Sequence, residues 1–429
     1  MDARCEGCEQ FPCRIRVGDR GLSAGVRMAC VRKLRSWLIV LLSVFVALQL
    51  LSLAALVLLE EIKHIAYVPA VNSITKQQRT MLEDFLAGRA GHVAYSSVLG
   101  WTANPNQRAP LYRAHSTGTK GERGYTLVPG RGMLRIATFG DFEFGGSYAK
   151  EEDTWQEVMM RAHSNVEVLN FGVQDSGIDQ AFLRYQYDGA AYKPDIVIIG
   201  FFPDNVYLSV NVYRPFFNPN TDLPLAKPRY VLQNGRLVLL ATPLRPLSEY
   251  ANLLTDPARV MRTLGRHDYF YQSTYHRGNL AVLPSVRLFQ IVRNRLMRRG
   301  KAIQNEQNGV LNVDSEAFKV TAAIFDEFVD AAQRAGSVPI IVAMPRAWDI
   351  DQYRRSGLKV YAPLLEHFKV KRYHYVDLVE GFEKYGTGMT AAELAPEQYS
   401  RAGNQVVAKV LWQSLVAQRL IDPKSFRRR

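Results

Sequence analysis

The sequence predicts a three-layer α/β/α domain on a parallel sheet, carried behind one N-terminal transmembrane helix. Two observations predict the domain. Five short runs, at 134–139, 167–171, 195–201, 338–343 and 373–378, are close to continuously apolar, as strands buried on both faces are. Helical patterns at 154–163, 179–191, 315–335 and 401–420 alternate with them, which implies a doubly wound parallel sheet. A third observation predicts the membrane segment. Residues 37–59 hold no charge, and about 20 apolar residues suffice to cross a bilayer as a helix.

Taken in order, residues 1–36 form a basic tail with eight basic and four acidic residues. All four cysteines (Cys5, Cys8, Cys13 and Cys30) lie there, so the region beyond the apolar stretch must hold together without disulfides. Cys5, Cys8 and Cys13 could bind zinc or take a lipid, but no histidine or second close pair completes a metal site. Met28 reads as an alternative start, which makes residues 1–27 a disordered extension or an over-long reading of the gene. Arg27, Arg32, Lys33 and Arg35 precede the apolar stretch, and Glu60, Glu61 and Lys63 follow it. The positive-inside bias then expects a type II single-pass protein with residues 60–429 outside the cytoplasm. A cleaved signal peptide fits less well, because the stretch exceeds the usual ~7–15 residues and lacks a small-residue cleavage site.

Residues 60–130 read as a juxtamembrane region or stalk. A helix is expected over 75–86 with Gly88 just past its end, and loops over 95–105 and 116–132, which are rich in Gly, Pro and polar residues. The main domain is expected over 131–422, interrupted at about 206–313, with a basic tail at 423–429. Inside the interruption, Asn234-Gly235 predicts a hairpin. The segment 286–299 predicts a helix with Leu288, Phe289, Ile291, Val292 and Leu296 apolar, and Arg287, Arg293, Arg295, Arg298 and Arg299 basic. Such a helix either touches lipid headgroups or an acidic partner, or packs one face and solvates the other. The formal charge of +14 suits an anionic partner or a solvated basic surface.

Ligands of open α/β sheets bind at the carboxyl ends of the strands. Those ends here are 140–146, 172–177, 202–205, 345–348 and Asp377. The first reads Gly140-Asp141-Phe142, and the second Gly172-Val173-Gln174-Asp175-Ser176-Gly177. The third carries Pro203-Asp204-Asn205, and near the end stands Ala395-Pro396-Glu397-Gln398-Tyr399-Ser400-Arg401-Ala402-Gly403-Asn404. Further matching text includes Asp153-Thr154-Trp155, Lys193-Pro194-Asp195 and Asn211-Val212-Tyr213-Arg214-Pro215-Phe216. Over roughly residues 95–420 these blocks resemble the SGNH hydrolases, the GDSL-type esterase and lipase family, and among them membrane-anchored bacterial members.

The resemblance implies a flavodoxin-like sheet and a site for cleaving esters of carbohydrates or lipids. It also implies a nucleophilic serine after Gly-Asp, an oxyanion-hole glycine after the second strand and asparagine after the third, and a final Asp-x-x-His. In this chain Phe142 stands at the nucleophile, Asp175 at the glycine, Ala395 at the orienting aspartate and Gln398 at the histidine. Asn205 and Asp141 keep their places. A phenyl ring has no lone pair to attack with, and an amide takes no proton near neutral pH. A carboxylate at Asp175 opposes the negative charge that an oxyanion develops.

The expected outcome is a kept frame and a lost reaction: a pseudo-esterase of the bacterial inner membrane that binds or scaffolds. The ligand would be a glycan or acylated molecule, or the partner an active envelope enzyme, and no nucleic acid is expected. The competing expectation is an active esterase or O-acyltransferase with a relocated nucleophile, for which Ser147 and Ser176 lie near the right loops. Asp141, Glu143, Asp175, Asp204 and Asn205 are the candidate cleft residues. Four carboxylates there could hold a divalent cation or act on a sugar, but each also has a local structural use, and no metal or cofactor is expected.

Overall fold

The computed structural model describes residues 24–63 and 74–422, apart from 90, 92, 106–107, 110–111, 117, 122, 142–149, 220, 272–278 and 397–398. Cys5, Cys8, Cys13, Phe142, Glu143, Ser147, Gln398 and the 423–429 tail therefore lie outside the described residues. The chain divides into two compact units. One is Met1–Ala66 with Val282–Leu288, and the other is Tyr67–Ala281 with Phe289–Arg429.

In the first unit a single helix, α1 (Ala24–Lys63), runs unbroken through the apolar stretch and beyond both its ends. Arg35–Leu59 has a mean hydropathy of 2.6 and only 6% of it is buried, so it is long and apolar enough to cross a membrane.

The second unit is built on five parallel strands: β1 (Leu134–Phe139), β2 (Val166–Asn170), β3 (Ile196–Phe201), β4 (Val338–Ala343) and β5 (Tyr375–Asp377). Their spatial order is β5-β4-β3-β1-β2, the flavodoxin-like order with its switch point between β1 and β3. Register is continuous across the sheet: Ile136 pairs with Val168 and Ile196, Ile198 with Ile340, and Val342 with Val376. Successive side chains feed two different cores, because strand side chains alternate faces. Ile136, Ile198, Ile340 and Val342 join one core with Trp155 and Met159 of α3 (Trp155–Ala162) and Val407 and Leu411 of α7 (Arg401–Ala417). Ala137, Phe139, Val197 and Ile341 join the other with Phe182 of α4 (Ile178–Arg184) and Ile324 and Phe328 of α6 (Glu316–Arg334). This two-sided burial is why the strands are mostly apolar.

The helix starts follow from their caps. Ser315 accepts from the Phe318 N–H at 3.1 Å, and Thr75 and Gln78 form a reciprocal capping box at the start of α2 (Lys76–Leu86). Each such cap contributes about 1 kcal/mol. The helix expected over 179–191 regularises only to Arg184, then widens at Tyr185–Gly189 and tightens at Ala190–Tyr192. Gly189 lies so close to the Phe139 ring that a Cβ there would stand 2.1 Å from Cζ. The hairpin at Asn234-Gly235 is present, joining Arg229–Gln233 to Arg236–Leu240 with both turn residues at positive φ. The helix expected over 286–299 is longer, α5 (Pro284–Asn305), because Pro284 is suited to its first turn.

Three expectations need correction. Residues 95–105 are not a loop: Val93–Ser96 and Gly100–Ala103 form an antiparallel hairpin. Gly100 marks a close approach, since a Cβ on it would lie 2.4 Å from the Ala226 carbonyl oxygen, and its φ is +85°. Nor is 74–103 a stalk: Ile74, Leu82, Phe85, Leu99 and Trp101 are buried in the same core as Phe139. The strand expected over 373–378 is shorter, because the Asp377 side chain accepts from the Val379 N–H and starts the next helix.

Candidate functional site

At the carboxyl end of β1 the chain turns through Gly140, whose φ of 152° a side-chain-bearing residue rarely adopts. Asp141 then bridges to Val173 in parallel, which brings the loops after β1 and β2 together. The Ser176 hydroxyl closes the same junction by donating to the Gly140 carbonyl at 2.9 Å. Trp101 supports it from outside, donating Nε1–H to the Gln174 carbonyl at 2.8 Å.

Asp141 is the hub. Its Oδ1 accepts the backbone N–H of Asp175 at 2.8 Å, and its Oδ2 accepts from Asn205 Nδ2 at 3.4 Å. Asn205 is oriented by its own Oδ1, which accepts the Phe202 N–H at 2.8 Å. Both groups that the resemblance assigns to an oxyanion, the residue-175 loop and Asn205, are thus turned toward a carboxylate of this chain. Asp141 is 7% exposed, and its pKa is pushed up to about 6. Loss of water is the main cause and the neighbouring Asp175 charge the next, with Arg346 and Arg214 opposing.

Residue 175 retains a backbone habit that glycine serves best. Its φ is 56°, in the left-handed region, although it carries a side chain. That side chain is held by an ion pair from Arg214 Nη2 at 2.5 Å. The Arg214 guanidinium also lies 5.4 Å from the Phe217 ring, and among the described residues its buried Nε and Nη1 have no hydrogen-bond partner. On the β3 side, Arg346 meets Asp204 at 3.5 Å and stacks over Phe202 at 4.4 Å and Trp348 at 5.3 Å. Lys120 also bears on Asp141. Desolvation pushes its pKa down to about 7, against the pull of the Asp141 charge.

Of the candidate residues, the fold brings together Asp141, Asp175 and Asn205, and places Asp204 on Arg346. Ala395 is buried just past the short helix Ala391–Leu394, where its N–H caps the Ala391 carbonyl. Phe142, Glu143 and Gln398 lie outside the described residues. Among the described residues no three His, Cys, Asp or Glu side chains gather as a metal site. Asp141 and Asp175 each spend an oxygen on a donor of the chain. His163 stacks on Trp412 and His374 bonds Gln418, so both serve the packing around α7. Sequence reasoning missed Arg214, Arg346 and Lys120. The one available signal was the carboxylate at residue 175, which demands a cation nearby.

No protein-family model matches the sequence, and no curated protein matches it. Solved structures do. A lipolytic protein of the G-D-S-L family from Desulfitobacterium hafniense DCB-2 is 12% identical, over 66% of this chain and 99% of its own, with a TM-score of 0.33. An acetylxylan esterase from Geobacillus stearothermophilus is 11% identical, over 68% and 96%, with a TM-score of 0.35. An esterase from Pseudoalteromonas sp. is 8% identical, over 67% and 100%, with a TM-score of 0.32. The second unit has a flavodoxin-like fold, a five-stranded parallel sheet between helical layers, defined by its own strand order and register.

Proposed function

We propose that this chain is a membrane-anchored SGNH hydrolase-like protein of the bacterial envelope that binds or scaffolds and no longer cleaves esters. One observation carries the reading. Residue 175, where the resemblance expects an oxyanion-hole glycine, carries a carboxylate that Arg214 holds in place. Negative charge already occupies the place where a reacting ester would develop it, which opposes catalysis rather than assisting it. The sequence adds Phe142 in place of a nucleophile and Gln398 in place of a base. The Ser176 hydroxyl is committed to the Gly140 carbonyl, which weakens the case for a relocated nucleophile.

In this reading α1 anchors the chain as a type II protein of the inner membrane, with the α/β domain outside the cytoplasm. The charge bias around Arg35–Leu59 supports that orientation. The ligand is a glycan or an acylated molecule, or the partner is an active envelope enzyme. The test is hydrolysis of a chromogenic acetyl ester by the purified full chain. The expected rate equals that of a Phe142→Ala variant, and a rate well above it overturns the reading.

A further inference from the structure

Among the described residues, helix α5 presents an exposed apolar stripe. Phe289, Val292 and Leu296, at helical i, i+3 and i+7 spacing, are between 50% and 65% exposed. Leu280 and Val282, just before the helix, are 65% and 70% exposed. The sequence of α5 carries six cations (Arg287, Arg293, Arg295, Arg298, Arg299 and Lys301) and no carboxylate. An exposed apolar stripe on an exclusively basic helix fits an interface with anionic lipid.

A second, independent observation says which surface covers it. Gln49 lies within the apolar stretch of α1, about 15 Å short of its Leu59 end at 1.5 Å per residue. Its Nε2 donates to Ser285 Oγ at 3.0 Å, and its Oε1 accepts the Ser285 N–H at 3.1 Å. An amide inside hydrocarbon needs a partner, and Ser285 supplies both halves of one. The arrangement also suits the start of α5 to an apolar medium. Pro284 has no N–H to satisfy, the Ser285 N–H goes to Gln49, and the Arg287 N–H goes to the Leu283 carbonyl. On the same face of α1 Ser52 is buried, a small residue of the kind that lets helices approach closely in a membrane.

We infer that the Val282–Leu288 segment, with the turns of α5 that continue from it, forms a second membrane contact seated by the Gln49–Ser285 pair. The inference rests on α1 spanning the membrane, as in the proposed function, and goes beyond it. The occupant of the stripe is the lipid of the bilayer that α1 crosses.

The experiment uses the full chain, with its four cysteines changed to serine, in nanodiscs of phosphatidylcholine and phosphatidylglycerol. Single cysteines at Leu42→Cys, Phe289→Cys, Val292→Cys and Val370→Cys carry an environment-sensitive fluorophore. Lipids with a nitroxide on the acyl chain serve as the quencher. Leu42 reports the anchor, and Val370, 71% exposed at the end of its helix, reports the background. The expected result is quenching at Phe289 and Val292 at least about twofold above Val370, together with quenching at Leu42. Quenching at Leu42 with background values at Phe289 and Val292 overturns this inference and leaves the anchor standing. The same pattern results if a protein or a second copy covers the stripe. No quenching at Leu42 overturns the anchor and this inference with it. Adding Gln49→Leu is expected to cut quenching at Phe289 by at least about half with Leu42 unchanged, and an unchanged Phe289 signal overturns the seating role of Gln49.

Discussion

The backbone N–H of Asp175 donates to the Asp141 carboxylate across 2.8 Å, and the two residues are joined through loops after neighbouring strands. Asp141 is therefore buried, bonded and still reluctant to ionise, because the lost hydration and then the Asp175 charge outweigh its donors. The consequence is a pH signature. The folded pKa of about 6 lies above the unfolded value near 3.9, so the folded state holds this proton more tightly. Its stabilising contribution is full below about pH 4 and is lost as pH rises toward 6. Relative to Asp141→Asn, the natural chain is expected to lose on the order of 2–3 kcal/mol between pH 4 and pH 7. Urea titrations of both proteins across that range check it. Asp349, also pushed up to about 6 by burial, titrates in both and cancels in the difference.

Asp175 and Arg214 form the other half of the site, and their coupling is measurable. Removing Arg214 as Arg214→Met strands a partly buried carboxylate beside Asp141 and is expected to cost about 1–3 kcal/mol. Asp175→Gly loses the same pair, but glycine relieves the left-handed backbone, a gain of about 1–2 kcal/mol. Asp175→Gly should therefore be the milder change, and the double variant should cost less than the sum of the two. A double-mutant cycle in urea decides it, and additive losses would show that the pair is not coupled.

What was legible in the sequence follows from which forces are local. The five strands were legible because burial on both faces demands apolar runs, and the helix starts because Ser315 and Thr154 cap through their own neighbours. Gly403-Asn404 was also legible within the resemblance, and the structure gives its reason. A Cβ at Gly403 would stand 2.1 Å from the Leu394 carbonyl oxygen, and Asn404 accepts the first N–H of α3 while donating to Tyr399 and Ser400. The hairpin 93–103 was illegible because Gly100, Asn104 and Pro105 look like loop residues until Ala226 is placed against Gly100. Arg214 was illegible as the partner of Asp175 because 39 residues separate them, and only the fold joins them.

The same long-range logic holds a buried ion pair beneath the site. Lys227 and Asp179 bond each other with side chains 1% and 0% exposed, and Asp179 also accepts the Gln180 N–H. Burial pushes the aspartate up and the lysine down, so each ion is tolerated only because the other is present. Lys227→Met alone is expected to cost about 3–5 kcal/mol, while Lys227→Met with Asp179→Leu should recover most of it. Denaturation midpoints of the three proteins check the order, and a double variant no better than the single one would contradict it.

The sharpest expectation concerns restoring the reaction. If only the chemical groups are missing, Phe142→Ser, Ala395→Asp and Gln398→His together rebuild nucleophile, orienter and base on an intact frame. That triple variant still carries the Asp175 carboxylate, held by Arg214 close to where an oxyanion would form. A developing alkoxide beside a fixed anion gains little from the residue-175 loop or Asn205. Adding Asp175→Gly removes the opposing charge and keeps the left-handed turn at that position. Since one oxyanion donor is worth about 10²–10³ in rate, the fourfold variant should hydrolyse an acetyl ester at least about tenfold faster than the triple. Equal rates in the two would mean that the Asp175 charge does not oppose hydrolysis at this site. Rates at the level of the natural chain in both would mean that the frame around Asp141 has itself moved away from catalytic geometry.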